Sequence, residues 1–268
     1  MTRIDPAFAG CPVPRVTRVM QDRDDPGADA HLVMIHGIAD SADIWNDVAH
    51  LLPQRFKSHC QMELPWHRGV GDPISYPCPA DTMRDAWAAL PGGPLVVIAH
   101  SFGANALMHM SQTTPLDRVA ALVMLSPYFK ESYAAFTWPL FIQYVNEFEK
   151  FLEMSINVRP FASRLDDGGR RLILDRIKQN YSPSSWLQFY RLWSMTPGLD
   201  VRGLPDRCLI ITGAHDFSIP VADSTALAAR IPGAEFRLLE DCSHFAMIEN
   251  PATTANHIST FLNRRTDQ

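Results

Sequence analysis

Three residues in the sequence have the types that nucleophilic catalysis requires, and they occur in the chain order serine, aspartate, histidine. Ser101 lies two positions from Ala99 and from Gly103, and Asp216 and His244 follow it along the chain. Serine is a weak nucleophile at its own pKa, so it needs a neutral imidazole within hydrogen-bond reach and a carboxylate that orients that imidazole. The chemistry that this set would support is attack on a carbonyl carbon, with Ser101 as nucleophile, His244 as general base and Asp216 as the orienting acid.

The sequence around Ser101 is typical of a sharp turn between a strand and a helix. An apolar run over 95–99 precedes the serine, and a segment of helical pattern over 102–112 follows it. Small residues at 99 and 103 fit a tight turn in which the helix backbone passes close to the strand. This strand, turn and helix is the context of a nucleophile elbow.

A second turn, His36-Gly37, directly follows an apolar run over 32–35. A turn at this place can aim backbone N–H groups at the point that the elbow serine faces. The sequence therefore predicts an oxyanion hole whose donors are the N–H groups of Ile38 and of Phe102, the residue after the nucleophile.

Short apolar runs alternate with longer segments of helical period, which predicts a mostly parallel sheet covered by helices. Each candidate residue follows a predicted strand, and the carboxyl ends of parallel strands meet at one edge of a sheet. The predicted strands are 16–20, 32–35, 57–63, 95–99, 119–125, 208–212 and 235–239. The predicted helices between them are 42–52, 80–90, 102–112, 221–230 and 252–263.

The alternation stops between residues 126 and 201, where aromatic residues crowd into segments of helical period. This pattern predicts a helical cap over 128–200, inserted into a core domain made of 1–127 and 201–268. Most of these aromatic side chains are expected to form the core of the cap, and the remainder to face a pocket for a small apolar substrate. The residues predicted to line the pocket are His36, Gly37, His100, Trp138 and Phe141.

Taken together, these motifs resemble the α/β-hydrolase superfamily, and within it the small capped esterases. Three patterns carry the resemblance: His-Gly-x-x-x-Ser-x-x-x-Trp, Gly-x-x-Asp-x-x-x-Pro, and a histidine followed by an acidic-x-Pro segment. The matching residues are His36, Gly37, Ser41 and Trp45, then Gly213, Asp216 and Pro220, then His244, Glu249 and Pro251. The resemblance implies an α/β fold with a central parallel sheet flanked by helices and a helical cap after the sixth strand. It implies no cofactor.

Three functions fit these residues. The first is a serine hydrolase that cleaves an ester or thioester of a hydrophobic small molecule through an acyl-enzyme on Ser101. The second is a C–C bond hydrolase of the meta-cleavage type on the same triad, and the third is a non-catalytic receptor of hydrolase fold that binds a small ligand. A serine nucleophile argues against haloalkane dehalogenases and epoxide hydrolases, which use an aspartate in this superfamily.

Charge and composition exclude several other classes. A net charge of −5 and a pI near 6.0 give no field that attracts nucleic acid or an anionic membrane surface. No spacing of His or Cys suggests a metal site, no Gly-x-Gly-x-x-Gly is present, and no apolar run approaches the ~20 residues of a membrane helix. With five scattered cysteines and no CxxC pair, the expected location is cytoplasmic.

Two questions stay open at this level. Asp200, Asp206 and Asp241 compete with Asp216 for the role of the acid, although the first two precede a strand and the third lies close to His244. The cap also carries a set of basic residues, which would either dock an acidic acyl-carrier protein or form the solvated faces of its helices. These residues are Arg159, Arg164, Arg170, Arg171, Arg176 and Lys178.

Overall fold

A computed structural model describes residues 15–19, 25, 27–38, 40–64, 78–180 and 183–264. Within these ranges seven strands form one sheet in the order β1-β3-β2-β4-β5-β6-β7. β1 pairs antiparallel with β3 at one edge, and every other neighbouring pair is parallel. The strands are β1 Arg15–Val19, β2 His31–Ile35, β3 His59–Glu63, β4 Leu95–His100, β5 Val119–Leu125, β6 Cys208–Gly213 and β7 Glu235–Leu239.

The predicted, mostly parallel sheet flanked by helices is therefore confirmed. The central strands β2, β4 and β6 are buried at every position, as expected for parallel strands whose two faces are both covered by helices. One apolar core runs along the sheet and under the helices on both faces. The last residue of the predicted strand 16–20 lies outside the described residues.

The helices begin and end close to the predicted positions. Prolines open α2 and α9, where a missing N–H costs nothing because the first turn of a helix leaves its N–H groups unpaired. The predicted helix 42–52 differs, because a 3₁₀ turn, Ala42–Trp45, leads into a shorter α-helix. The helices are α1 Asn46–Leu51, α2 Pro79–Ala88, α3 Phe102–Ser111, α4 Trp138–Asn157, α5 Asp167–Asn180, α6 Pro183–Ser194, α7 Val221–Arg230, α8 Ala246–Glu249 and α9 Pro251–Asn263.

Between β5 and β6 the described residues form helices and turns and contain no strand. The helices α4, α5 and α6 lie here, after the fifth strand in the described part of the chain, where the resemblance implies a sixth. α6 packs against the core through Phe189, whose ring lies 6.0 Å from that of Phe102, and His109 of α3 donates to the carbonyl of Leu192 at 2.8 Å. The division into a core of 1–127 and 201–268 and a cap of 128–200 stays a prediction.

None of the helices in the described ranges combines the length and the apolar character that a membrane span requires.

Candidate active site

Ser101 lies at the turn between β4 and α3 in a strained backbone conformation. Its φ of 51° and ψ of −122° are rare for a residue with a side chain. The surrounding backbone holds this conformation, since the Ser101 N–H donates to the carbonyl of Leu125 at 2.8 Å and its carbonyl accepts from Asn105 at 3.1 Å. Such strain costs about 1–3 kcal/mol and persists only where neighbouring structure enforces it. The turn therefore presents Ser101 at the carboxyl edge of the sheet.

Two glycines allow the His36-Gly37 turn to lie directly against Ser101. A Cβ at Gly103 would lie 2.3 Å from the carbonyl oxygen of His36, and a Cβ at Gly37 would lie 3.2 Å from the Cβ of Ser101. The first distance is shorter than real Cβ atoms show, and the second is tighter than most real Cβ contacts. The predicted second turn and the predicted elbow therefore share one small space, which explains the glycines at both positions.

His244 connects Ser101 to Asp216. Its Nε2 accepts from the Ser101 hydroxyl at 3.0 Å, and its Nδ1 donates to Asp216 Oδ2 at 2.8 Å. Ser101 is 1% exposed and His244 is 0% exposed, so water does not compete for these hydrogen bonds. The loop that carries His244 passes over the end of β6, where a Cβ at Gly213 would lie 2.2 Å from the carbonyl oxygen of Ser243.

The Asp216 carboxylate is buried and fully hydrogen-bonded. Oδ1 accepts from the N–H of Ser218 at 3.0 Å, from the Ser218 hydroxyl at 2.8 Å and from the N–H of Ile219 at 3.0 Å. Burial raises the pKa of Asp216, but the attraction of His244 and hydrogen bonds from His244, Ser218 and Ser126 more than offset this, so the pKa lies below its ordinary value. Asp216 is thus held in the ionised form that orients an imidazole.

The rival acids lie elsewhere. Asp200, Asp206 and Asp241 are all exposed, and Asp200 pairs with Arg202 at 2.9 Å. The structure therefore brings Asp216, and none of these three, to the ring of His244.

Sequence reasoning overlooked Ser218, which contacts both Asp216 and His244. Besides its bonds to Asp216, its hydroxyl oxygen lies 3.2 Å from His244 Nδ1. The signal was present, because an aspartate whose side chain bonds the N–H two residues later forms a common turn in which serine is frequent.

Glu249 braces the loop of His244 from both sides. Its carboxylate accepts from the N–H of Ser243 at 2.8 Å, from the Ser243 hydroxyl at 2.6 Å and from the N–H of Phe245 at 3.0 Å. The acidic-x-Pro pattern after the histidine therefore has a physical role: the acid fixes the backbone on either side of the imidazole, and Pro251 begins α9.

His36, which the sequence predicted at the substrate pocket, lies behind the turn instead. It is 0% exposed, its Nε2 accepts from the N–H of Leu64 at 2.9 Å, and its Nδ1 donates to the carbonyl of Gly37 at 2.8 Å. Both ring nitrogens are used on backbone groups, so the side chain supports the turn and does not face substrate. Gly37 lies against Ser101 and also against His100, whose Nδ1 would be 2.8 Å from a Cβ at position 37, and Ile38 lines the cavity.

His100 also acts behind the site rather than in the pocket. Its Nε2 donates to the carbonyl of His244 at 3.1 Å, and the centroids of the two imidazoles are 4.9 Å apart. Burial and the neighbouring His244 ring lower the pKa of His100 well below its ordinary value, so it is neutral at physiological pH. A neutral ring in this place adds no positive charge beside a general base.

An apolar cavity lies beside the site, between the strand ends and the helices α4 and α6. The space in it that a water molecule can enter measures about 30 Å³. The Phe151 ring lies 5.2 Å from that of His244, and the Tyr128 ring 6.0 Å. Glu147 and Ser218 are the polar lining residues, and the apolar and aromatic lining consists of Ile38, Tyr128, Tyr144, Phe148, Phe151, Trp186, Phe189 and Phe217.

The prediction that Trp138 and Phe141 line this cavity is wrong. Trp138 is 77% exposed, and Phe141 packs between Trp138, Trp186 and Tyr190 at centroid distances of 5.7, 5.5 and 4.9 Å. Both lie on the first turn of α4, whereas Phe148 and Phe151 of the same helix reach the cavity. Helical periodicity showed that α4 has an apolar face but did not show which end of that face covers the site.

Part of the basic set in the cap is paired within the protein. Arg159 pairs with Asp40 at 2.6 Å, Lys178 pairs with Glu149 at 2.6 Å, and Arg170 donates to the carbonyl of Ala162 at 2.7 Å. Docking of an acyl-carrier protein stays a prediction. No group of three or more His, Cys, Asp or Glu side chains in the described ranges is arranged to hold a metal ion.

Comparison with known proteins identifies a family and several similar proteins. The profile of the "Alpha/beta hydrolase family" matches residues 32–257. The lipase LipV of Mycobacterium tuberculosis is 37% identical over 110 residues, which are 39% of this chain and only 40% of that protein. A 2-hydroxymuconate semialdehyde hydrolase of a Pseudomonas species is 26% identical over 264 residues, covering 89% of this chain and 88% of that protein.

The solved structure of a putative lipase from Acinetobacter baumannii superposes with a TM-score of 0.70 at 20% identity, covering 93% of this chain and 91% of the other. At that identity the similarity concerns the fold.

Proposed function

We propose that this chain, which belongs to the alpha/beta hydrolase family, cleaves an ester or thioester of a hydrophobic small molecule through an acyl-enzyme on Ser101. The observation that carries the proposal is the buried hydrogen-bonded series Ser101, His244, Asp216, with distances of 3.0 and 2.8 Å, beside an apolar cavity. A serine nucleophile, a general base and an acid that orients this base are the parts that nucleophilic acyl transfer needs.

The reaction follows from this geometry in two halves. The Ser101 oxygen attacks the carbonyl carbon while His244 Nε2 takes the hydroxyl proton, and the resulting imidazolium is stabilised by Asp216. As the tetrahedral intermediate collapses, the bond to the leaving alcohol or thiol breaks and His244 returns the proton to the leaving group. A water molecule then attacks the acyl-enzyme by the same route, which releases the acid and restores Ser101.

The oxyanion of the intermediate would be bound by the N–H groups of Ile38 and Phe102. The close approach of Gly37 to Ser101 places the Ile38 turn beside the nucleophile, and Phe102 is the first residue of α3. The N-terminus of a ten-residue helix adds a positive partial charge at this point. In comparable sites, loss of one such donor costs about 10²–10³-fold in kcat.

The cavity lining supports an uncharged, hydrophobic acyl group. Aromatic side chains from the core and the cap supply most of its surface. Its charged side chain among the described residues is Glu147, which would repel a substrate carboxylate.

Cleavage of a C–C bond is a second candidate function, favoured by the similarity to the 2-hydroxymuconate semialdehyde hydrolase over most of both chains. Ser101, His244 and Asp216 would catalyse this reaction as well, but the bond that breaks would be a C–C bond and not the ester or thioester bond. A ring-cleavage dienoate carries a negative charge, which the carboxylate of Glu147 disfavours at the edge of this cavity.

Labelling with a fluorophosphonate followed by peptide mapping tests the nucleophile. We expect one label, on Ser101, that is lost in Ser101→Ala and retained in Ser111→Ala, a control serine at the other end of α3. A label on another residue, or ligand binding without label or turnover, would reject the proposal; the latter result would indicate a receptor.

A substrate panel then separates the two chemistries. We expect turnover of p-nitrophenyl esters or acyl thioesters to rise with acyl chain length and a coloured ring-cleavage dienoate to be a poor substrate. A dienoate turned over faster than every ester or thioester would instead support the C–C bond hydrolase.

A further inference from the structure

The cap makes a charged contact with the turn that carries the proposed oxyanion donor. Arg159, between α4 and the following 3₁₀ turn, places its Nη2 2.6 Å from Asp40 Oδ1. The side chain of Asp40 is 2% exposed and that of Arg159 25% exposed. Asp40 lies two residues after Ile38, so this contact joins the cap to the turn beside Ser101.

In the segment 36–42, His36, Asp40 and Ala42 are each held by a side-chain contact, and these three contacts differ in origin. At its start His36 bonds the N–H of Leu64, and at its end Glu63 Oε2 accepts from the N–H of Ala42 at 2.9 Å. Both of these contacts stay within the sheet region of β2 and β3. In the middle, Asp40 Oδ1 accepts from the N–H of Ser41 at 2.9 Å and from Arg159. Asp40 is therefore the residue of this turn that is held by the cap, through Arg159, whereas His36 and Ala42 contact residues at the end of β3.

Asp40 depends on Arg159 because little else compensates its charge. Its second oxygen, Oδ2, is buried and has no hydrogen-bond partner among the described residues. Burial raises the pKa of Asp40 to about 6, although Arg159 and the Ser41 N–H act in the opposite direction. A buried carboxylate that loses its cation must take up a proton, admit water or move. Each of these changes alters the turn that carries Ile38.

We propose that Arg159 is a positioning residue for catalysis: by holding Asp40, the closed cap sets the turn that carries the Ile38 oxyanion donor. The cavity of about 30 Å³ is too small for a substrate, since ligand pockets measure about 300–1,000 Å³, so the cap must move for entry. Arg159 would thereby link re-closure of the cap to completion of the oxyanion hole. This inference rests on the proposed function.

The test compares Arg159→Gln, Arg159→Lys and the double variant Arg159→Gln/Asp40→Asn with wild type. The readouts are kcat and KM for a p-nitrophenyl ester and the affinity for a trifluoromethyl ketone, which adds to the serine and forms an oxyanion. The control is Arg202→Gln, which removes an arginine from an exposed pair with Asp200.

We expect Arg159→Gln to lower kcat and trifluoromethyl ketone affinity together by about tenfold, a fraction of the 10²–10³-fold effect of losing a donor outright. KM should change little, and Arg202→Gln should behave like wild type. Arg159→Lys should retain part of the wild-type kcat and ketone affinity, because lysine also carries a positive charge. The double variant should show a similar loss of kcat, because two neutral amides restore the charge balance but no longer tie the cap to the turn.

Phosphonate labelling of the same variants tests the role of Arg159 separately from the role of Ser101 as nucleophile. Ser101 labelled in wild type, together with unchanged kcat and ketone affinity in Arg159→Gln, would overturn the inference and leave the function intact. Absence of label in wild type would reject the function itself. If Arg159→Gln unfolds, the double variant decides: a lower kcat and a lower ketone affinity than wild type would support the role of the pair, and wild-type values of both would overturn it.

Discussion

Replacing Gly213 by alanine tests whether the loop of His244 must pass in contact with the end of β6. Gly213 does not have a positive φ, so alanine is allowed by the backbone and the effect is purely steric. The added Cβ would lie 2.2 Å from the carbonyl oxygen of Ser243 and 2.3 Å from that of Cys242. Carbon and oxygen atoms meet at about 3.3 Å, so the loop must move by about 1 Å.

That displacement lengthens the hydrogen bond between Ser101 and His244, along which the proton is transferred. The distance from His244 Nε2 to Ser101 Oγ is 3.0 Å, and an outward shift of about 1 Å would take it beyond hydrogen-bond range. A misplacement of this size costs about 100-fold in rate. We therefore expect Gly213→Ala to lower kcat about 100-fold with little change in KM. Overpacking should cost about 1–3 kcal/mol, equivalent to a fall in Tm of about 2–12 °C.

The assay is steady-state hydrolysis of a p-nitrophenyl ester, with thermal unfolding of the same samples. Gly92→Ala is the matched control, because Gly92 is exposed and a Cβ there would meet nothing within 4 Å. If folded Gly213→Ala kept a kcat within about threefold of wild type, the loop would not need this close passage, and the packing argument for Gly213 would be refuted.

Three further predictions concern residues of the site. Asp216→Asn should lower kcat by about 10³–10⁴-fold, because an amide does not stabilise the imidazolium. Since the pKa of Asp216 is lowered, its ionised form stabilises the native state above an unfolded pKa of about 3.9, and this contribution is lost as pH falls through the folded pKa. The difference in unfolding free energy between wild type and Asp216→Asn should therefore be constant above about pH 5 and shrink as the pH falls below about 3.9 in urea titrations; an unchanged difference would contradict the linkage. Ser101→Gly should exceed Ser101→Ala in stability by about 1 kcal/mol, because glycine adopts a φ of 51° without strain, and the reverse order in urea would show that the turn is unstrained. Glu249→Gln should lower kcat about tenfold while Ser101 still reacts with phosphonate, because the amide presents only one acceptor oxygen to three donors that flank His244; a kcat equal to wild type would remove Glu249 from a positioning role.

Much of this protein could be predicted from the sequence because the signals are local. Apolar runs over 95–99 and 208–212 form strands because covered parallel strands must be apolar along their length. Small residues beside Ser101 predict a tight turn because larger side chains would collide there, and Gly103 has a carbonyl at 2.3 Å from its would-be Cβ. The carboxyl ends of parallel strands share one edge of a sheet. Ser101, Asp216 and His244, which follow β4, β6 and β7, could therefore be predicted to lie close together.

Contacts between distant segments were decided only by the tertiary structure. Asp216 and Asp241 both follow strands, and only packing shows that the first reaches His244 while the second is exposed. Periodicity identifies the apolar face of a helix but not the part of the protein that this face contacts. It therefore predicts Trp138 in the cavity, although this side chain is 77% exposed.

The pairing of Arg159 with Asp40 is the clearest example of a contact that the sequence alone does not predict. The two residues are separated by 119 positions, and each alone reads as a solvated charge. Their contact exists because the chain after α4 packs against the turn that follows β2, where the side chain of Asp40 is buried, so that the charge of one residue becomes a requirement for the other. Residue types and spacing determined the fold and the three residues of the site, and the burial created by the fold decided which side chains support them.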